Sequence, residues 1–98
     1  MEHTETDPST ETVRVWLVER TYSDDEQNII ILVYATPDGS RYLRKERALT
    51  SFDAGPDVTA AVDVRPINLG EVPDQEEREQ YANAARDMKE RHDPDDIV

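Results

Sequence analysis

The feature that most constrains the fold is an apolar segment followed at once by a turn. Residues 28–36 read NIIILVYAT, apolar at consecutive positions and rich in β-branched side chains. Such a segment is typical of a central strand that is covered on both faces. The next residues, TPDGS, place proline, aspartate and glycine in the order that a tight turn uses. We therefore predict a hairpin with a type I turn and a glycine bulge, which leads into a third strand from Ser40.

Two further strands are predicted from alternating patterns. In TVRVWLVERTY, residues 12–22, the period of a strand places Val13, Val15 and Leu17 on one side and Arg14, Trp16, Val18 and Arg20 on the other. VTAAVDVR, residues 58–65, alternates in the same way and stops at Pro66, as suits a half-buried edge strand. The three strands before residue 50 are predicted to form an antiparallel meander, joined by this fourth strand.

The last element is predicted to be a helix that starts after Asp74. Glu77 lies three residues beyond Asp74, which is the spacing of a capping box. Acidic side chains fill the first turn and basic ones the last, as the helix dipole favours. The predicted fold class is α+β, with the helix packed on one sheet face through a stripe at helical spacing, formed by Tyr81, Ala84, Ala85 and Met88.

Charge divides the chain into three parts. The net charge is −12, with 23 acidic residues against 11 basic ones. The acidic excess lies toward both ends, so we predict a disordered acidic tail over residues 1–11, one domain over residues 12–92 and a frayed acidic end over residues 93–98. A second interpretation of the chain after the predicted hairpin makes residues 45–52 helical.

The acid excess and the scarcity of lysine resemble the composition of proteins from haloarchaea that accumulate salt, where molar salt screens the repulsion between carboxylates.

Composition also limits the compartment. The chain contains no cysteine, its longest apolar run is IIILVYA, and its first residues are acidic. Disulfides, a cysteine zinc site, a membrane span and a secretory signal are therefore not expected. We expect a cytoplasmic protein.

The predicted register creates an aromatic face. A three-residue loop would place Tyr34 opposite Tyr42, and a symmetric first hairpin would place Trp16 opposite Tyr34. One face would then be aliphatic, with Val13, Val15, Leu17, Ile29, Ile31, Val33 and Leu43. The other would carry the three aromatic residues beside Val18, Ile30 and Leu32, with Arg14, Arg20 and Arg44 between them.

One helix covers one face, so we predict that the second face is covered by another copy of the chain, in a homodimer, or by a partner protein. The alternative is that residues 46–57 fold over this face, with Leu49 and Phe52 as the side chains that cover it.

The segment SRYLRKERAL concentrates positive charge in an acidic chain. Its cations are Arg41, Arg44, Lys45 and Arg47. They are expected to form ion pairs with nearby carboxylates, to take part in self-association, or to bind phosphate or nucleic acid beside the aromatic face. The candidate interaction residues are Trp16, Tyr34, Tyr42, Arg14, Arg20, Arg41, Arg44, Lys45 and Arg47.

No catalytic or metal-binding pattern is found in the sequence. The two histidines are His3 and His92, the three glycines are scattered, and SDDEQN is followed by neither the glycine nor the glutamate of a calcium loop. No cofactor or metal is expected. We predict a small non-catalytic interaction module of a halophilic cytoplasm, and the alternative is an accessory protein that binds nucleic acid or phosphate through the Trp/Tyr/Arg face.

Overall fold

The fold is a single antiparallel sheet of five strands with one long helix packed on it. The structure is a computed structural model that describes residues 11–23, 29–48 and 58–98. The strands are β1 (Val13–Ser23), β2 (Ile29–Ala35), β3 (Arg41–Ala48), β4 (Ala61–Val64) and β5 (Gly70–Glu71), and the helix α1 spans Gln75–Arg91. A 3-10 turn, Pro66–Asn68, precedes β5. The strand order is β4-β1-β2-β3-β5, so the predicted α+β class and the three-strand meander are confirmed.

The outer strands of the sheet agree with the prediction in part. The fourth strand is confirmed at the edge beside β1. β5 was not predicted, because a two-residue strand has no periodicity to detect. Residues 45–48 belong to β3, so the helical interpretation is wrong for that part of the chain. The rest of that interpretation, the proposed cover by residues 49–57 and the predicted tail up to residue 10 lie outside the described residues.

The predicted register is wrong by one residue on both sides of β2. Tyr34 pairs with Leu43, and Ala35 pairs with Tyr42. The reason lies in the turn, where the Thr36 N–H donates to the Arg41 carbonyl at 3.1 Å. The loop between these two residues is therefore one residue longer than the predicted three-residue loop, although Gly39 adopts the expected positive φ of 74°.

On the other side of β2, a β-bulge sets the pairing with β1. Trp16 pairs with Ala35 and Leu17 with Tyr34, and the register then shifts between Leu17 and Glu19. The bulge places one extra residue, Val18, against the partner strand. The side chains after the bulge therefore point to the opposite faces from those that the unbroken alternation of the sequence predicts.

These registers define two faces that differ from the predicted ones. We call the first the Trp16 face, because Trp16, Ala35 and Tyr42 share it. We call the second the Tyr34 face, because Leu17, Tyr34 and Leu43 share it. Opposed residues in an antiparallel sheet point to the same side, so Trp16 and Tyr34 lie on opposite sides of the sheet.

Helix α1 packs on the Trp16 face. Asp74 caps its first turn by accepting a hydrogen bond from the Glu77 backbone N–H at 2.9 Å, as predicted. Ala85 is fully buried and packs in one cluster with Trp16, Ala60 and Ala61. Met88, at the edge of the same cluster, confirms the predicted stripe in part, and Ala82 is a buried helix residue that the stripe omitted.

The turn between β2 and β3 contacts the helix closely. A Cβ atom at Gly39 would lie 2.0 Å from the Arg78 carbonyl oxygen and 2.9 Å from the Ala82 nitrogen. Glycine is needed here for two reasons, since φ is positive and there is no room for a side chain. The Arg86 guanidinium donates to the Pro37 carbonyl at 3.1 Å and adds a second link between the turn and α1.

The C-terminal residues pair with the segment that leads into β4. The Val98 N–H donates to the Val58 carbonyl at 2.8 Å, and the Ala60 N–H donates to the Asp96 carbonyl at 2.8 Å. Thr59 and Ile97 form an antiparallel bridge. These backbone hydrogen bonds place the last residues of the chain beside residues 58–61.

Candidate interaction surface

The sheet has two ends with different numbers of strands. At one end, which we call the five-stranded end, β4 pairs with residues 13–16 of β1 and β5 pairs with residues 41 and 42 of β3. At the other end, residues 19–23, 29–33 and 44–48 pair only among themselves within the described part of the chain. We call this the three-stranded end. Three cations of the basic segment, Arg44, Lys45 and Arg47, lie at this end.

Cations lie on both outer strands of the three-stranded end, on the Tyr34 face. Arg20 of β1 and Lys45 of β3 both pair with Leu32 of β2. Tyr22 and Arg47 both pair with Ile30 in the next row. Leu32 and Ile30 are buried, whereas all four flanking side chains are exposed. The face is therefore a buried aliphatic strip with three cations and one tyrosine at its borders.

Tyr34 lies beside these cations but is itself buried. Its side chain is 3% exposed and belongs to the cluster that contains Val15, Leu17 and Leu32. Burial raises the pKa of the Tyr34 phenol, and the positive charges of Arg47 and Arg20 oppose that rise. These two arginines are therefore close enough to act on the phenol electrostatically, although the tyrosine is a core residue and not a surface platform.

The predicted row of three aromatic residues is not assembled. Trp16 is 4% exposed and lies beneath α1, and Tyr34 is buried on the opposite face. Tyr42 shares the Trp16 face, where its ring lies over Gly70; a Cβ atom there would be 2.7 Å from the tyrosine Cε1. The single chain thus buries Trp16 and Tyr34, two of the three aromatic side chains that were predicted to need a partner, and half-buries Tyr42.

Two of the candidate arginines form ion pairs with neighbouring carboxylates. The Arg14 Nε and Nη2 atoms donate to the two Asp63 carboxylate oxygens at 2.8 and 3.1 Å. This hydrogen bond raises the pKa of Arg14 and lowers that of Asp63. Arg44 donates to Glu46, two residues along the same strand. Both pairs are exposed, so each contributes little to stability.

The other candidate cations have no such partner among the described residues. Within residues 11–23, 29–48 and 58–98, no carboxylate forms an ion pair with Arg20, Arg41, Lys45 or Arg47. Arg41 lies away from the other three, on the Tyr34 face opposite Glu71 of β5. The concentration of positive charge that the sequence predicts is therefore present on the surface. The aromatic side chains predicted beside it, Trp16 and Tyr34, are buried.

The outer edge of β3 is the second feature of this end. β5 pairs with Arg41 and Tyr42 only, so residues 44–48 have no strand on their outer side in the described part of the chain. All five of these residues are exposed. An edge of this kind presents backbone N–H and C=O groups to another strand.

A groove near the start of α1 has the opposite charge. It encloses about 230 Å³ and is lined by Tyr42, Glu71, Val72, Pro73, Glu77 and Tyr81. Burial raises the pKa of Tyr81, and the charges of Glu19 and Glu77 raise it further. The groove therefore presents the carboxylates of Glu71 and Glu77 between the end of β5 and the first turns of α1.

The hydroxyl groups of the β2–β3 turn are engaged in holding the turn. Thr36 Oγ1 and Ser40 Oγ donate to Asp38 Oδ1 at 2.6 and 2.8 Å, and the Ser40 N–H donates to the same oxygen at 3.0 Å. These hydrogen bonds lower the pKa of Asp38 to about 2. The turn therefore uses its polar groups for structure.

Sequence reasoning missed Tyr22 and the open edge. Tyr22 is 62% exposed. The bulge at Val18 pairs it with Ile30 of β2, and Arg47 pairs with the same Ile30 from the other side of β2. The open edge depends on the strand order, which the sequence does not reveal. A strand with four charged residues at consecutive positions, 44–47, is nevertheless a signal of an edge strand.

The family comparison identifies the chain at the level of sequence alone. The chain belongs to a family of unknown function, DUF7967, whose model matches residues 9–98. No curated protein matches the chain, and no solved structure matches it.

Within residues 11–23, 29–48 and 58–98, no helix has the length and apolar character that a membrane span needs. The same residues contain no group of three or more side chains placed to hold a metal ion.

Proposed function

We propose that this protein is a small non-catalytic interaction module of a high-salt cytoplasm, and that it self-associates through its sheet. The observation that carries the proposal is the three-stranded end, where β3 has an open outer edge in the described structure. The predicted aromatic face does not support the proposal, because Trp16 and Tyr34 are buried in the single chain. The association surface that we propose is therefore the edge of the sheet.

Charge sets the conditions for this association. The whole chain has a net charge of −12, so two copies repel each other at low salt. Residues 44–47 carry three cations and one carboxylate, so two such edges also carry like charge, and Glu46 is the residue on each edge that can pair with a cation of the other. Molar salt reduces the Debye length to about 3 Å, which weakens the long-range repulsion and leaves short contacts between the two edges.

The hydrogen bonds of the two hydroxyl groups in the β2–β3 turn are consistent with a non-catalytic role. Thr36 and Ser40 both donate to Asp38, and His92 lies within 3.5 Å of Asp96 at the far end of α1. A hydroxyl nucleophile needs a base within hydrogen-bonding distance. These hydroxyls instead hold a turn whose carboxylate is a weak base, with a pKa of about 2.

Light scattering on a sizing column tests the proposal. The full chain is measured in about 2 M KCl over a hundredfold range of protein concentration, and we expect the mass of a dimer at the upper concentrations. A matched pair of variants is Arg44→Glu on β3 and Arg91→Glu on the exposed end of α1. Both change the net charge equally, but only Arg44→Glu is expected to weaken the dimer. A monomer at every concentration would overturn the proposal.

A second candidate function rests on Tyr22. An exposed tyrosine beside Arg20 and Arg47 is a combination that binds single-stranded RNA by stacking and phosphate contact. The net charge of −12 and high salt both oppose this function. It is therefore placed second.

Titration with a fluorescent oligouridine distinguishes the two candidates. For RNA binding, Tyr22→Ala and Arg47→Ala would each weaken binding at least tenfold, and Arg91→Ala would not. For self-association alone, none of the three variants shows RNA binding above that of an unrelated acidic protein, and the wild type shows none either.

A further inference from the structure

We infer that two copies pair antiparallel along the outer edges of β3, with Lys45 opposite Lys45 of the second copy. This inference rests on the proposed self-association and specifies its geometry. The partner is a second copy of this chain, and the bonded groups are the backbone N–H and C=O groups of Arg44 and Glu46. These point away from β2, because the Arg41 carbonyl accepts from Thr36 of the turn and the Ser40 carbonyl accepts from Val72 on the outer side. The result is one continuous sheet across two molecules.

Symmetry restricts the possible registers. Two antiparallel strands from identical copies are related by a twofold axis perpendicular to the sheet. That axis keeps each side chain on its own face, and opposed side chains share a face. Each register therefore places one residue opposite its own copy, and the choice lies among the residues of the open edge.

Charge selects one register from this set. With Lys45 on the axis, Arg44 of each copy lies opposite Glu46 of the other, which gives two pairs of opposite charge. With Glu46 on the axis, Glu46 faces its own copy and Lys45 faces Arg47. Opposed like charges destabilise a pair of strands, and opposite charges stabilise it. With Arg44 on the axis, Arg44 faces its own copy, Lys45 faces Leu43 and Glu46 faces Tyr42, so no opposite charges are paired.

β5 limits the length of the pairing between copies. It begins at Gly70 opposite Tyr42, the place that Ala48 of the second copy would take in the selected register, so the pairing between copies ends at residue 47. Glu71 pairs with Arg41, and Arg47 of the second copy would lie opposite Leu43, two positions farther along. Glu71 and this arginine would share the Tyr34 face, about 7 Å apart at the backbone, which an arginine side chain can bridge.

The remaining like-charge contact lies at the axis. Lys45 is exposed, and its long stem lets the two ammonium groups separate into solvent. The intrastrand pair between Arg44 and Glu46 is exchanged for two pairs between copies. The rival role of these charges is to keep the edge unpaired, and that role predicts a monomer.

A single introduced cysteine tests the register, because the chain contains no cysteine of its own. In Lys45→Cys, opposed Cβ atoms would lie about 4.5–5.5 Å apart, close to the range that a disulfide spans. In Arg44→Cys, the two cysteines would be offset by two residues along the strands, about 7 Å, in addition to the spacing between strands. We expect mild oxidation to cross-link Lys45→Cys in more than half of the molecules and Arg44→Cys in less than a tenth.

A charge exchange tests the same register without oxidation. Arg44→Glu places two glutamates opposite each other and is expected to raise the dimer dissociation constant at least tenfold. Adding Glu46→Arg restores opposite charges in the selected register and is expected to recover the wild-type value to within about threefold. Circular dichroism of both variants checks that the sheet is retained.

Three outcomes separate this inference from the proposed function. Cross-linking of Lys45→Cys with recovery in the exchanged variant supports both. A dimer by light scattering that cross-links through another position, or not at all through β3, overturns the register and leaves the self-association intact. A monomer at all concentrations overturns both.

Discussion

The two ends of the sheet contain the same three central strands but differ in what surrounds them. At the five-stranded end, β4, β5 and α1 enclose Trp16, Ala35 and the β2–β3 turn. At the three-stranded end, β2 is largely buried, while the described side chains of its two neighbours are exposed and include Arg20, Lys45 and Arg47. The comparison shows that the buried aromatic residues Trp16 and Tyr34 lie toward one end of the sheet and the exposed cations Arg20, Lys45 and Arg47 at the other.

The difference has a physical origin in the lengths of the strands. β1 contains 11 residues and β3 contains 8, whereas β4 contains 4 and β5 contains 2. The short strands cover only one end of the long ones. Large apolar side chains gain most where both faces are covered, and charged side chains keep their hydration at an end without further strands.

The largest effect is expected from Trp16→Ala at the five-stranded end. Trp16 is 4% exposed and packs against Ala85 and Ala61, so its loss leaves a cavity between the sheet and α1. We expect the free energy of unfolding to fall by about 3–5 kcal/mol. Circular dichroism during thermal unfolding in molar KCl measures this change, since the variant lacks the only tryptophan. Trp16→Phe is the control and should lose less than half as much.

Gly39→Ala is expected to be the next largest change. The new Cβ atom would lie 2.0 Å from the Arg78 carbonyl oxygen, at a residue with φ of 74°, so either the turn or the helix must move. The expected loss in the free energy of unfolding is roughly 3 kcal/mol, part of it from the left-handed backbone. Thermal unfolding followed by circular dichroism measures the loss, and a loss below about 1 kcal/mol would contradict the tight contact between turn and helix.

Part of the fold could be predicted from neighbours in the sequence. Strands β1 to β4, the glycine of the β2–β3 turn and the Asp74 cap were predicted because each depends on adjacent residues. The register was not, because TPDGS is compatible with loops that differ by one residue. The alternation of TVRVWLVERTY also runs through Val18 without any sign of a bulge.

The candidate site was predicted only in part, for the same reason. The concentration of charge over residues 41–47 is visible in the sequence. The separation of Trp16 from Tyr34 depends on the register, and the open edge of β3 depends on which strand ends the sheet. Arg14 and Asp63 are 49 residues apart in sequence, so only the pairing of β1 with β4 brings them together.

A smaller effect on the free energy of unfolding is expected when Asp38 is protonated at low pH or replaced by asparagine. Its pKa is about 2 in the folded chain against 3.8 without the turn's hydrogen bonds, so the folded state binds fewer protons between these values. The stabilisation is present above pH 3.8 and is lost as the pH falls toward 2. Asp38→Asn should cost about 1 kcal/mol at pH 7, a value reduced for solvent screening. Urea unfolding of the wild type and of Asp38→Asn at pH 7 and pH 2.5 measures the free energy of unfolding of each. A difference between the two proteins that stays constant with pH would contradict the account.

The smallest effect on folding is expected at the three-stranded end. Arg47→Gln removes an exposed cation that makes no ion pair with the described carboxylates, and the free energy of unfolding should change by less than about 0.5 kcal/mol. Thermal unfolding at low protein concentration, where the chain is monomeric, isolates this value. A loss above 1 kcal/mol would mean that the cation supports the fold of the single chain.

The most direct test of the central claim is the mass of the wild type and of Arg44→Glu in molar KCl, measured by light scattering at matched concentrations. The claim is that the five-stranded end stabilises the single chain and that the three-stranded end joins two chains. It predicts a dimer for the wild type and a folded monomer for Arg44→Glu, with equal thermal stability at high dilution. A wild type that stays monomeric, or a variant that associates as strongly as the wild type, would contradict it.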